Sequence, residues 1–289
     1  MHIEKENLRN RVESVLSKKE LNTLTGVLQK VQRLTSNLRS SSEELAKTIS
    51  SDSVLTAKVL QTVNSAHYGL QRRISSIEEA IVMVGFSQLR TMCAGLLSAT
   101  AMGGESRSKG FDRVALWKHA LGTGTAAGYL QKNMVMREGT DCFTAGLLCN
   151  FGRIILDQYF SEEFSKMLET ARRRRVSLLD VERETLGVSH AEIGYWAADF
   201  WGFDDALAHA IRHHHGPAVS ESTDIVNFSY VVTQAKMIGS PGDPVLTRFL
   251  PGLLKRLDIS DQKLNELLVG LSEEYHTLTP IFRSVEGSL

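Results

Sequence analysis

The chain has 289 residues, 42% hydrophobic and 23% charged, enough to bury a substantial core in one large or two ordinary domains. Its 33 basic residues equal its 33 acidic ones, which excludes a global electrostatic pull toward nucleic acid or anionic lipid. Three scattered cysteines (Cys93, Cys142, Cys149), a charged N-terminus unlike a signal peptide, and no apolar run near the ~20 residues of a membrane helix lead us to expect a soluble, cytoplasmic protein with reduced thiols.

Only 5 prolines and few alternating stretches predict an all-α fold. Residues 7–36 read as one or two amphipathic helices, with Leu21, Leu24, Val27, Leu28 and Val31 on one face. Ser41 and Glu44 form a capping-box start for a helix over 43–49. Asp52 caps the next helix, whose stripe is Leu55, Val59, Leu60 and Val63. That helix should end in Asn64-Ser65-Ala66-His67-Tyr68-Gly69, because Asn and Ser compete for backbone hydrogen bonds and Gly69 can turn left-handed. Ser76 and Glu79 start a short helix that buries Ile77, Ala80, Ile81 and Val84. Gly85 breaks it, and residues 89–101 are helical again.

Residues 102–110, rich in Gly and Ser, read as a linker. Asp112 caps a long helix carrying Trp117, His119, Leu121 and Leu130. Gly122 and Gly124 within it mark close helix packing. The run 143–156 is apolar and helix-compatible on both sides of a polar break at Cys149-Asn150. Helices follow over 161–175, 177–186 and 190–201, the last opened by Ser189 and Glu192. Another starts at Asp204 or Asp205 and stops at His213-His214-His215-Gly216-Pro217. Residues 222–238, 244–256 and 261–276 complete the helical pattern.

Several of these segments together resemble one family. Ser51-Asp52-Ser53-Val54-Leu55-Thr56, Asn64 to Gly69, Ile74 to Ile81 and Val84-Gly85 match the ordered motifs of HDOD domains, with Ser53 where the family has proline. The resemblance covers roughly residues 20–220. Gly146-Leu147-Leu148-Cys149-Asn150-Phe151-Gly152-Arg153 is similar to the Gly-Leu-Leu-His-Asp-Ile-Gly-Lys centre of HD-type phosphohydrolases. Cys149 and Asn150 stand at its metal-binding His-Asp pair, and Arg153 stands at its lysine. By the same resemblance His119, His190, His214 and His215 occupy other ligand positions of the metal-dependent relatives, and the late Asp position falls near Lys236.

The resemblance implies an HDOD/HD-like fold with an N-terminal helical lobe (1–108), an HD-like helical lobe (109–240) and a C-terminal helical extension (241–289). It also implies a bacterial signal-transduction protein that binds rather than catalyses, because Asn150 cannot neutralise a hard divalent ion as a carboxylate does. No catalytic residue, metal or cofactor is assigned. A softer ion, if any, would draw on His119, Cys149, His190 and His214. The rival is a divergent phosphodiesterase acting on a nucleotide or cyclic dinucleotide through the remaining histidines. Structural histidines are the plain alternative to both. The expected partner is a signalling protein, with enzymes of cyclic-dinucleotide signalling among the candidates, and Asn64 and Tyr68 mark a candidate groove between the lobes. Arg172 to Arg175 could touch phosphates, but a basic run also complements a helix C-terminus, and acidic Asp180, Glu182 and Glu184 follow it.

Overall fold

In the computed structural model, residues 2–17, isolated positions between 26 and 33, 41–70, 72–134 and 141–286 are described. The helical stripe expected at Leu21 to Val31 lies outside them. Among the described residues all regular structure is helical: α1 (His2–Leu16), α2 (Ser42–Ser50), α3 (Ser53–Val63), α4 (Ile77–Val84), α5 (Phe86–Met102), α6 (Arg113–Asn133), α7 (Cys142–Leu148), α8 (Phe151–Tyr159), α9 (Ser161–Arg174), α10 (Leu178–Leu186), α11 (His190–Phe200), α12 (Asp205–His213), α13 (Glu221–Ala235), α14 (Leu253–Arg256), α15 (Asp261–His276) and α16 (Thr279–Glu286).

The helix starts follow local chemistry. Ser41 and Glu44 make a reciprocal capping box at α2, and Asp52, Asp112 and Asp204 each accept a backbone N–H of their own first turn. At α4 the box is only half formed. Ser76 accepts from the Glu79 N–H, but the Glu79 carboxylate reaches Ser75 instead. Gly85, at φ 87°, separates α4 from α5. The segment 244–256 departs from the helix expected of it. Only Leu253–Arg256 is helical, because the Gly-Asp-Pro and Pro-Gly pairs around it favour turns.

Helices α2 to α5 pack on one another, and α6 to α13 form a second group centred on α6, α7 and α13. α15 lies on α6, whereas α16 packs on α3 and α5, so the C-terminal helices touch both groups. α1 packs on α11, burying Leu8, Val12 and Leu16. The stretch after α5 is tied down: Asp157 of α8 accepts from the Ser106 hydroxyl and the Ser108 N–H, and Arg113 beside it donates to the Met102 carbonyl.

Small residues set the spacing of the second group. A Cβ on Gly124 or Gly146 would sit within 3 Å of the facing helix backbone, so α6 and α7 meet almost in contact. A Cβ on Gly152 would lie 2.0 Å from the His190 carbonyl oxygen. That approach holds α8 against the first turn of α11 and thereby fixes His190. Among the described residues no single helix is long and apolar enough to cross a membrane.

Candidate functional site

The polar break of the 143–156 run is the turn between α7 and α8, and Arg153 lies in the first turn of α8. Arg153 is completely buried. Its guanidinium lies 2.8 Å from Asp243 and 3.2 Å from Glu182, both themselves buried at their carboxylates, and a further N–H is given to the Pro241 carbonyl. Burial works against the charge of Arg153, but Asp243, Tyr230 and Glu182 outweigh it and keep it a cation. Asp243 also accepts from the Leu178 N–H at 2.7 Å, capping α10, and lies 3.4 Å from the Tyr230 hydroxyl.

Glu182 links this cation to the histidines. Its second oxygen accepts from the His190 backbone N–H at 2.9 Å and lies 2.6 Å from His190 Nδ1. Burial alone would raise its pKa, but His190 and Arg153 prevail and hold it below the usual carboxylate range. His190 Nε2 faces His214 Nε2 at 3.4 Å, and His214 Nδ1 lies 2.7 Å from the Ile211 carbonyl of its own helix. His215 is half-buried, yet both its ring nitrogens are shielded from solvent and have no hydrogen-bond partner. Burial holds His190, His214 and His215 below the ordinary histidine pKa.

Of the positions singled out in the sequence, His190, His214 and His215 come together, with ligand atoms within 4.8 Å of one another. His119 and Cys149 are not members of that group. His119 is buried on α6 and meets the edge of Tyr230 at 4.7 Å between ring centroids. Burial and nearby Arg153 lower its pKa to about 3. The Cys149 thiol donates to the Gly146 carbonyl, and burial pushes it up to about 12. The Asn150 amide sits fully buried beside it, its oxygen without a partner.

Lys236 is not near this cluster. It is exposed at the end of α13, its amine near Ser272 of α15. Tyr230, on the buried face of the same helix, meets His119, His214 and His215 instead. The cation at the site is Arg153. Asn64 and Tyr68, expected at a groove between the lobes, make their described contacts within the N-terminal group. The Asn64 amide clips its loop by bonding Ile74 N–H and C=O and the Leu60 carbonyl, and Tyr68 accepts from Gln88. Among the described residues, the cavity at Asn64, about 840 Å³, is lined by residues between 57 and 75 of the N-terminal group. A smaller one, about 380 Å³, lies where α5, α6, α7 and α15 meet, with Phe86, Arg90, Tyr129 and Phe143 in its wall. The Arg172 to Arg175 run closes α9. Arg172 donates to the Gly110 carbonyl, Arg174 pairs with Glu184, and Arg175 turns left-handed at φ 53°.

Glu182, Asp243 and Tyr230 were not identified from the sequence as site residues. Glu182 carries a signal: it falls four residues after Leu178 and beside Val181, on the buried stripe of its helix. Tyr230 lies likewise between Val226 and Thr233. Asp243 sits in a loop, where no periodicity marks it.

The fold and site define a class: an all-α bundle of the HD-like kind, with a buried histidine cluster beside a charged network at the junction of α7, α8 and α11. The HDOD domain family model matches residues 21–217, and the chain belongs to that family. It resembles the crystal structure of an HDOD domain protein of unknown function from Geobacter sulfurreducens, with a TM-score of 0.69 and 25% identity over 90% of each chain. A Marinobacter aquaeolei VT8 structure, provisionally assigned to signal transduction, gives a TM-score of 0.71 at 18% identity over 99% of this chain and 66% of that one. A Shewanella amazonensis SB2B structure, provisionally assigned as a phosphohydrolase, gives 0.62 at 18% identity over 91% and 93%. At 18% identity these two likenesses show the fold alone. An uncharacterized protein of Treponema pallidum (strain Nichols) is 28% identical over 197 residues, 66% of this chain. The chain spans 37% of the length of that relative.

Proposed function

We propose that this HDOD protein acts in bacterial signal transduction by binding a protein partner or small ligand rather than by turning over a substrate. The observation that supports this reading is the pairing of Arg153 with Glu182 and Asp243. A hard divalent ion in a hydrolytic centre needs carboxylate oxygen to hold and neutralise it. Here the Glu182 carboxylate is divided between Arg153 and His190, and Asp243 pairs with the same guanidinium, which cannot lose its proton. Cys149, held as a neutral thiol, and Asn150 supply no charge in their place. The donor set therefore does not fit a carboxylate-bridged centre, and we route no reaction through one. The partner, on this reading, is a cytoplasmic signalling protein, with cyclic-dinucleotide enzymes among those to be tried.

The rival reading is a divergent phosphodiesterase. The discriminating experiment is hydrolysis of cyclic dinucleotides and of a chromogenic phosphodiester, with manganese, iron(II) or zinc supplied to the purified protein. Our reading expects no rate above the metal-only control. A rate that is lost in His190→Ala, with the variant still folded, would establish the enzyme and overturn it.

A further inference from the structure

The cavity of about 380 Å³ where α5, α6, α7 and α15 meet is lined by an unbonded hydroxyl. Thr125 is only 6% exposed, and among the described residues its Oγ1 has no hydrogen-bond partner. Threonines within helices usually escape this by bonding the carbonyl four residues back, as Thr62, Thr123 and Thr233 do. A buried hydroxyl left unbonded carries a free-energy cost that a ligand with a polar atom at that point removes.

Helix register places the rest of the wall. Trp117 Nε1 donates to the Gly95 carbonyl at 3.2 Å and to the Ser98 hydroxyl at 3.1 Å, and a Cβ on Gly95 would strike the Leu121 side chain. α5 and α6 therefore run antiparallel, and Thr91, one turn before Gly95, lies level with Thr125, one turn after Leu121. Arg90 follows on the same face of α5, with Phe86 a turn further out. On α6 the turns after Thr125 bring Gly128, Tyr129 and Lys132 to the cavity. Gly128 leaves it room, since a Cβ there would already stand 3.3 Å from Phe143 in the α7 wall. The cavity is thus buried at Thr125 and Phe143, aromatic along its sides, and exposed at Lys132.

The charges around it select the sign of a ligand. Asp141 is engaged with its own helix, accepting the Thr144 N–H at 3.2 Å and the Thr144 hydroxyl at 2.5 Å. Glu274, half-buried on α15, has its pKa raised by burial, which favours its neutral form, although Lys132 works the other way. Burial also works against the charge of Arg90, and Asp141 is the carboxylate that offsets it. A second anion beside Arg90 and Lys132 would offset it further.

We propose that this cavity binds a small aromatic carboxylic acid, its ring among Phe86, Tyr129 and Phe143, its carboxylate at Arg90 and Lys132, and a ring oxygen at Thr125. The volume lies at the small end of ligand pockets, which run from about 300 to 1,000 Å³. The inference deepens the binding reading by naming a ligand class, at a place that shares no lining residue with the His190 cluster. Its walls come from the N-terminal group, the second group and α15, so a bound acid ties the three together.

The test is saturation-transfer NMR and calorimetric titration of the full chain with benzoate, para-hydroxybenzoate and para-hydroxyphenylacetate, and with tyramine as the cationic counterpart. We expect a hydroxy acid to bind with a Kd of about 500 µM or below, benzoate about fivefold more weakly, and tyramine at least about tenfold more weakly. Thr125→Val, which keeps the shape and removes the hydroxyl, should abolish the preference for the hydroxy acid over benzoate. Arg90→Gln should weaken every acid about tenfold or more. Arg73→Gln, in the wall of the cavity at Asn64, should change nothing. The comparison of acid with amine on the native chain needs no variant to fold. No acid bound more tightly than about 5 mM, tyramine bound as tightly as the acids, or affinities unchanged in both Thr125→Val and Arg90→Gln would overturn the site. So would binding lost in Arg73→Gln. Phosphodiester hydrolysis by the native chain would instead overturn the binding function and leave this site standing.

Discussion

Arg153 controls the site's electrostatics because, among the described residues, it is the cation that Glu182 and Asp243 share. A buried guanidinium with two carboxylates is stable only as a set: removing one member leaves an uncompensated charge, at a typical cost of 3–5 kcal/mol. Arg153→Met should therefore lower the unfolding free energy by about 3–5 kcal/mol or more, read by urea denaturation. Adding Glu182→Gln and Asp243→Asn should recover part of that loss, because the stranded charges are then gone. If the triple variant is no more stable than Arg153→Met, the carboxylates are not held in place by Arg153. The sequence led to this residue by an indirect route. Arg153 was legible as the stand-in for a lysine, and His119, His190, His214 and His215 were legible, by the same resemblance, as ligand positions of the metal-dependent relatives. That Arg153 gathers Glu182 and Asp243 was not legible, because the two lie 29 and 90 positions away in sequence and one is in a loop. Local periodicity reports which face of a helix is buried, not which distant group will meet it.

At the scale of elements, the site depends on how closely helices approach. The capping residues Ser41, Asp52, Asp112 and Asp204 announced their helices because an N-cap acts on backbone two or three residues away. Gly122 and Gly124 announced close packing but not its partner. The most demanding contact is Gly152 on the first turn of α11. Gly152→Ala would drive a methyl into the His190 carbonyl and the Gly194 N–H, both backbone atoms that cannot swing aside. Overpacking of this kind typically costs 1–3 kcal/mol, and it should also move His190 away from Glu182. Gly128→Ala is the comparison. Its methyl would approach the Phe143 side chain at 3.3 Å and no backbone, and alanine favours a helix by up to about 1 kcal/mol over glycine. Thermal melts should show a drop of several degrees for Gly152→Ala and little change for Gly128→Ala. Equal losses would mean that the α8–α11 contact is not special. Between α13 and α15, the Thr233 and Tyr275 hydroxyls lie 2.8 Å apart in the core. Tyr275→Phe should cost about 1 kcal/mol in the same assay, the usual net worth of one hydrogen bond. No loss at all would show that α15 is held by its apolar stripe alone.

For the whole molecule, the buried histidines decide how the fold responds to acid. His119 shows this apart from the His190 cluster, since it touches Tyr230 and lies outside that group. Folding lowers its pKa from an ordinary value of about 6.5 to about 3, chiefly by burial. Above pH 6.5 the ring is neutral in both the folded and unfolded chain, and its titration does not affect stability. As pH falls through 6.5 the unfolded chain takes up a proton that the folded chain refuses. Stability is then lost at about 1.4 kcal/mol per pH unit for this one group, down to about pH 3 where the folded ring also charges. This is the opposite of a histidine that gains an acidic partner on folding, whose contribution is present at low pH and lost as pH rises. His119→Phe keeps an aromatic ring against Tyr230, and Thr123 keeps its bond to the residue 119 carbonyl, but nothing is left to titrate. Unfolding free energies measured by urea between pH 7.5 and 4.5 should therefore fall less steeply in His119→Phe, by about one proton, or ~1.4 kcal/mol per pH unit below pH 6. Parallel curves would mean that His119 is protonated inside the fold. Burial would then not be keeping it neutral, and the acid response would belong to the His190 cluster and the carboxylates.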